Sequence, residues 1–132
     1  MNSIPVTTYL RLEGGLVLGL SIFAYTHLSG PGWPWLLVLA PDLSFVAYRA
    51  GPRIGALVYN LCHTYLLPAL LGVLGMLLNI PALQFAALIW TAHIGWDRLL
   101  GYGLKHPTSF HDTHLGRLGR TQPARAEASV NA

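Results

Sequence analysis

The chain has 132 residues, of which 53% are hydrophobic and only 10% charged, against roughly 25% charged in an average soluble protein. Eight basic and five acidic residues give a formal net charge of +3. Charges are absent from residues 14–41 and again from 54–96, which excludes a water-soluble globule, a disordered chain and a nucleic-acid reader acting through a basic surface.

Each uncharged stretch can cross a bilayer twice, at about 20 apolar residues per crossing. Residues 1–10 carry no basic residue and no small-x-small cleavage site follows the first apolar run, so the first helix is expected to stay in the mature protein. That helix is placed at about residues 9–28 and stops at Ser29-Gly30-Pro31-Gly32, a cluster of turn residues. A second helix follows at about 33–49, with Pro41 in its middle; the proline removes a donor, kinks the helix and frees the carbonyl near Leu37. The turn Arg49-Ala50-Gly51-Pro52-Arg53 leads into a third helix at about 54–78, in which Pro68 frees the carbonyl of Thr64. Asn79-Ile80-Pro81 separates it from a fourth helix at about 82–104. Beyond Pro107 the chain turns polar, and residues 119–132 read as a disordered tail. Gly15 with Gly19, and Gly51 with Gly55, have the spacing of close helix contacts. The single cysteine, Cys62, excludes an intrachain disulfide and reads as a small buried hydrophobe.

The expected fold is therefore all-α: a polytopic membrane protein with four transmembrane helices in a compact bundle over residues 1–118. Arg11, Arg49, Arg53, Arg98, Lys105, Arg117, Arg120 and Arg125 all fall on the side of the termini and the middle turn, and neither opposite loop holds a basic residue. The positive-inside rule makes that side cytoplasmic.

The apolar helices contain polar residues that a bland anchor does not need: Glu13, Asp42, Asn60, His63, Thr64, His93 and Asp97. Ionisable groups at such depth face a bundle interior or a wet cavity and mark a functional site. At 1.5 Å of rise per residue, Asp42, His63, His93 and Asp97 lie roughly 10–17 Å in from the arginine-bearing ends. Every helix thus supplies an ionisable group to the cytoplasmic half. Asn60, His63 and Thr64 share one face of helix three, while His93 and Asp97 stand one turn apart on helix four. A histidine and a carboxylate at that spacing either hold a metal together, or the carboxylate orients the imidazole for acid/base work. His93, Asp97, His63, Asp42 and Glu13 are the candidate catalytic groups, and His63, His93, Asp97 and Asp42 the candidate ligands of a divalent transition metal. Asn60, Thr64, Tyr48, Tyr102 and Trp90 are candidate substrate contacts. The same residues have plainer readings as helix-helix hydrogen bonds and interfacial anchors. His106, His111, Asp112 and His114 form a second polar group, readable as a metal site or as a lid over the cavity mouth.

The phrases Arg11-Leu12-Glu13-Gly14, Ala40-Pro41-Asp42, Ala50-Gly51-Pro52-Arg53, Tyr59-Asn60-Leu61-Cys62-His63-Thr64-Tyr65, Ala92-His93-Ile94-Gly95-Trp96-Asp97-Arg98 and Asp112-Thr113-His114-Leu115-Gly116 occur together. In combination, over about residues 11–118, they resemble a family of small bacterial membrane proteins catalogued as domain of unknown function 4260. The resemblance implies a four-helix protein of the bacterial inner membrane and carries no activity. The leading expectation is a membrane-embedded enzyme or binding site for a small or lipid-like molecule, reached from the cytoplasmic leaflet. The alternatives are a proton-coupled transporter relying on Glu13, homodimeric to enclose a pathway, and a haem protein with His63 and His93 as axial ligands.

Overall fold

The computed structural model describes residues 4–108 and 110–117; Arg120, Arg125 and the expected tail at 119–132 lie outside the described residues. The architecture is all-helical apart from one small hairpin. Helix α1 spans Val6–His27, α2 Pro52–Cys62, α3 Leu66–Leu77 and α4 Pro81–Leu100. Trp33–Leu37 and Ala40–Ala50 are 3-10 helices. Strand β1 (Asp112–Thr113) pairs antiparallel with β2 (Gly116–Arg117).

Three helices end in the same way. After α1, Ser29 turns left-handed and the Gly30 N–H reaches back to the Tyr25 carbonyl at 3.1 Å; after α3, Asn79 does the same and Ile80 reaches Gly75 at 2.9 Å. These six-to-one bonds satisfy carbonyls that a helix end leaves open. Gly101 takes φ +93° after α4, and Tyr102 N–H bonds the Asp97 carbonyl at 2.8 Å. The fourth helix therefore stops at Leu100 rather than 104, because glycine reaches the left-handed region without a Cβ clash.

The second and third helices differ more from expectation. Residues 33–50 contain no α-helical turn. Pro34 and Pro41 lack the N–H groups an α pattern would use, and the bonds seen are three apart, such as Val38 to Trp35 at 3.1 Å and Asp42 to Leu39 at 3.0 Å. The proline effect thus tightens the whole segment instead of kinking an α-helix. The third helix is interrupted at residues 63–65, splitting into α2 and α3. Three successive carbonyls lose their helical donors there. Trp90 Nε1 serves that of Cys62 at 2.6 Å, Arg98 serves that of His63 at 2.9 Å, and Pro68 has no N–H to give Thr64.

Helix α4 is central, packed against α1, α3 and the Trp33–Leu37 turn, while α2 lies against the Ala40–Ala50 segment. The closest approach of α1 and α4 is at Gly14 and Gly95; Gly15 meets only the Leu99 side chain, at 3.2 Å, and Gly19 meets nothing. A Cβ on Gly14 would overlap the Arg98 side chain, and one on Gly95 would come within 2.8 Å of the Gly14 carbonyl oxygen. Gly19 faces open space, whereas Gly55 lies beneath the Tyr48 ring.

The distribution of polarity is inverted relative to a soluble domain. His63, His93, Arg98 and Lys105 are buried, while Leu12, Leu16, Leu20, Leu43 and Leu77 are exposed, as is Leu36 at 84%. Two segments, Val6–His27 and Pro52–Leu77, are long and apolar enough to cross a membrane.

Candidate metal centre

Asp42, His63, His93 and Asp97 converge, from the 3-10 segment, the end of α2 and two successive turns of α4. Asp42 reaches the others because of the helix type that carries it. With three residues per turn, side chains at i, i+3 and i+6 stand in one row, so Asp42, Phe45 and Tyr48 line a single edge. Phe45 stacks on Tyr59 at 5.2 Å, Tyr59 stacks on His63 at 3.8 Å, and Asp42 arrives beside His63. The break at residues 63–65 ends α2 at the ring that the centre uses. Arg98 fixes this break, since its guanidinium donates to the carbonyls of both His63 and Tyr102.

The donor atoms form a compact polyhedron. His63 Nε2 lies 3.2 Å from His93 Nε2. Asp42 Oδ1 is 3.3 Å from each of these nitrogens, and Asp97 Oδ2 is 3.5 Å from each. All four donor atoms lie within 4.8 Å of one another. His63 Nδ1 is 2.9 Å from the Tyr59 carbonyl oxygen. A carbonyl only accepts, so Nδ1 carries the proton, and in the neutral ring the Nε2 lone pair faces the cluster. The two histidines are almost fully enclosed, at 0% and 2% exposure. Asp97 is mostly covered and Asp42 forms the open rim.

The family model described as Domain of unknown function (DUF4260) matches residues 7–118. The chain belongs to this family. No curated protein and no solved structure matches it. The DUF4260 match extends over α1–α4 and the hairpin, so all four converging residues fall within it.

Glu13 does not join the cluster: it is exposed on α1, and the centre is built from three segments rather than from four helices. Asn60 acts on the chain itself, accepting from the Lys105 N–H at 2.6 Å and donating to the Lys105 carbonyl at 2.8 Å. Trp90 is occupied with the Cys62 carbonyl, Tyr102 is exposed, and Thr64 lies beside the break. The hydroxyl of Tyr48 is buried without a hydrogen-bond partner among the described residues, as is that of Tyr65. His106 and His111 are exposed. His114 Nδ1 accepts from the Leu104 N–H at 2.8 Å, which holds the hairpin to the end of α4. Burial lowers the pKa of His114, and the nearby Arg98 charge adds to the effect. Among the described residues the cluster of Asp42, His63, His93 and Asp97 is the one group with metal-ligating geometry.

Sequence reasoning missed Arg98 and Lys105 as parts of the surroundings, while Tyr59, readable from the sequence as a donor at the cavity edge, serves through its carbonyl and its stacked ring. The arginine and lysine register in a sequence as topological charge, and neither lies on a polar helix face that would single it out. Lys105 is only 4% exposed. Its ammonium sits 4.0 Å above the Phe110 ring centroid and 5.1 Å from that of Tyr59. Burial lowers its pKa, and the Asp97 charge partly restores it.

Proposed function

We propose that this is an integral membrane protein of four crossings with both termini cytoplasmic, in the bacterial inner membrane, and that Asp42, His63, His93 and Asp97 bind one divalent transition-metal ion. The centre would act on a small or lipid-like molecule. One observation carries the metal reading. A tetrahedral ion with bonds of about 2.0–2.2 Å to nitrogen and oxygen requires donor atoms about 3.3–3.5 Å apart, and five of the six separations here are 3.2, 3.3, 3.3, 3.5 and 3.5 Å. Two imidazoles with two carboxylates suit zinc, manganese, iron or cobalt.

A bound divalent ion would supply Lewis-acid polarisation of a substrate oxygen or acidify a bound water. The protein's own part is orientation. The Tyr59 carbonyl fixes the His63 tautomer, Arg98 holds the backbone at His63, and Asp97 sits enclosed one turn from His93. Asp42, at the rim, is the ligand best placed to yield to a substrate.

The crossing count is supported by the 3-10 geometry. The two 3-10 helices of 33–50, of 5 and 11 residues, rise about 2.0 Å per residue against 1.5 Å in an α-helix, which lengthens the reach of this segment toward a hydrocarbon core of about 30 Å. The exposed leucines supply an apolar surface of the kind that faces lipid. An apolar groove of about 660 Å³ lies between the Trp33–Leu37 turn and α4, lined also by Trp90 and by Pro41 and Cys62, which directly precede Asp42 and His63 in the chain. A lipid-like molecule fits such a groove. The transport alternative rested on Glu13, which stands apart from the cluster. The haem alternative needs a porphyrin between two axial nitrogens, and His63 and His93 Nε2 at 3.2 Å leave no room for one.

Elemental analysis of the full chain purified in mild detergent tests the proposal. Near one transition-metal ion per chain is expected, lost in His93→Ala and retained in Glu13→Gln. Absence of metal even after zinc, manganese, iron and cobalt are added back would overturn it.

A further inference from the structure

The apolar groove and the cluster share one stripe of α4. Ala82, Ala86 and Trp90 line the groove, and His93 and Asp97 follow at steps of three and four residues, so that all five fall within about a quarter of the helix circumference. On its other walls the groove runs to Pro41 and Cys62, the chain neighbours of Asp42 and His63. Its inner end is thus one residue, or one helical turn, from three members of the cluster. The groove stays open because α4 presents only alanine at 82 and 86, both exposed positions.

The chemistry of the walls selects a hydrocarbon. Among the described residues, no lining side chain is charged and none carries a hydroxyl or an amide. Pro31, Pro34 and Pro41 have no N–H to offer. The Pro31 carbonyl accepts from the Tyr25 hydroxyl at 2.6 Å, and the Trp90 indole N–H donates to the Cys62 carbonyl at 2.6 Å. A polar occupant would give up its water there without replacement partners, whereas a hydrocarbon chain gains from the burial. From Ala82 to Trp90 the groove runs about 12 Å at 1.5 Å per residue, the length of roughly ten methylenes. Its two ends differ. The outer end, at Pro31, Trp33 and Ala82, adjoins turns without a charged residue. The inner end adjoins the cluster, with Asp42 at the open rim, its side chain 35% exposed. A chain seated in the groove therefore has its polar end at the cluster. That end is small, because the cluster lies more than about 10 Å in from the arginine-bearing ends, a depth at which a large ionic head would be stripped of its water.

We propose that the substrate is a single-chain amphiphile whose small oxygen-bearing head, an alcohol, aldehyde or carboxyl group, meets the metal ion beside Asp42 while its hydrocarbon chain lies along Ala82, Ala86 and Trp90. This deepens the reading above and rests on it, for the ion and for the bilayer alike. The three heads share one feature, an oxygen that a divalent ion can take as a ligand. The chain supplies the binding and the head supplies the position, since the groove itself holds nothing that could orient a polar group.

The test uses the full chain in phosphatidylcholine vesicles with acetohydroxamic and dodecanohydroxamic acid, which share a metal-binding head and differ in their chains. Binding is followed by the absorbance of Co²⁺ in the loaded protein. A second readout needs no metal: the rate at which a small maleimide alkylates Cys62, the single cysteine of the chain and part of the groove wall. After correction for partition into the vesicles, the long compound is expected to perturb the Co²⁺ spectrum at a concentration at least about tenfold below that of the short one. It is also expected to protect Cys62, which the short one leaves reactive. Ala86→Phe, a change at an exposed position on the groove, should remove the long compound's advantage. Equal potency of the two compounds, or an advantage that survives Ala86→Phe, would overturn this inference and leave the metal reading intact. Protection of Cys62 with an unaltered Co²⁺ spectrum would also overturn it, by putting the head at the outer end. No Co²⁺ binding in any condition would overturn the metal reading and, with it, the placement of the head.

Discussion

At the scale of single residues, the centre depends on a few atoms whose neighbours leave them no freedom. His63 illustrates this: its Nδ1 is committed to the Tyr59 carbonyl, its ring is stacked on Tyr59 and its own carbonyl is taken by Arg98. Four residues away from His93, Asp97 completes a pair that helical spacing alone could identify. Gly14, outside the centre, is a residue whose replacement should be poorly tolerated. Its Cβ would overlap Arg98 and crowd the Leu99 N and Gly95 O atoms at 2.9 Å, so Gly14→Ala should push α1 away from α4 and displace Arg98 from the His63 carbonyl. Overpacking of this kind costs about 1–3 kcal/mol. Gly19→Ala, in open space, should cost almost nothing. Unfolding of the two variants by increasing harsh detergent compares them, and equal stability would mean that the α1–α4 crossing is looser than the contacts imply.

Among the elements, the two irregular segments place two members of the cluster, Asp42 and His63. A continuous α-helix over 52–77 would carry His63 past the cluster in mid-helix, with its carbonyl bonded internally and unavailable to Arg98. The interruption stops the helix at that ring, and Pro68 helps to prevent its repair. Pro68→Ala restores an N–H for the Thr64 carbonyl and favours joining α2 to α3. We expect at least about a tenfold loss of metal affinity, about 1.4 kcal/mol, with helical content maintained or raised; circular dichroism beside a Co²⁺ titration measures both. Unchanged affinity would show that the break is held by Arg98 and Trp90 without help from the proline. The 3-10 segment has the matching role for Asp42, whose alignment with Phe45 and Tyr48 exists only at three residues per turn.

For the whole molecule, the inverted polarity and the one-sided basic residues make a joint prediction about topology. Single cysteines introduced at Ser29, Ala50 and Asn79 in a Cys62→Ala background should separate in labelling by a membrane-impermeant thiol reagent. Ser29 and Asn79 are expected to react from outside intact cells, and Ala50 only after permeabilisation. Labelling of Ser29 and Ala50 from the same side would reduce the count of crossings. Beyond α4, Asn60 holds the backbone at Lys105 and His114 ties the hairpin to Leu104, with the Lys105 ammonium over the Phe110 ring and near that of Tyr59.

The amino-acid sequence by itself determined the helical class and the approximate boundaries at 29–32 and 79–81, and it marked a wider set of polar residues that contains the four that converge. Apolar runs, turn residues and misplaced ionisable groups are local signals, and Asp42, His63, His93 and Asp97 each stand out against an apolar background without reference to a partner. It could not tell that Glu13 faces outward while Arg98 and Lys105 face inward. Arg98 and Lys105 lie at the end of α4 or beyond it, where the helical period gives out and burial depends on which neighbouring backbone needs a donor; Glu13 lies in the third turn of α1, on a helix apolar enough all round that its period does not mark the buried face. Only the tertiary structure decided that a proline-bearing segment becomes two 3-10 helices, that the third helix breaks at the His63 ring, and that the separations within the cluster reach about 3.3 Å. Those distances arise from packing among α4, the end of α2 and the 3-10 edge, and no single segment contains them.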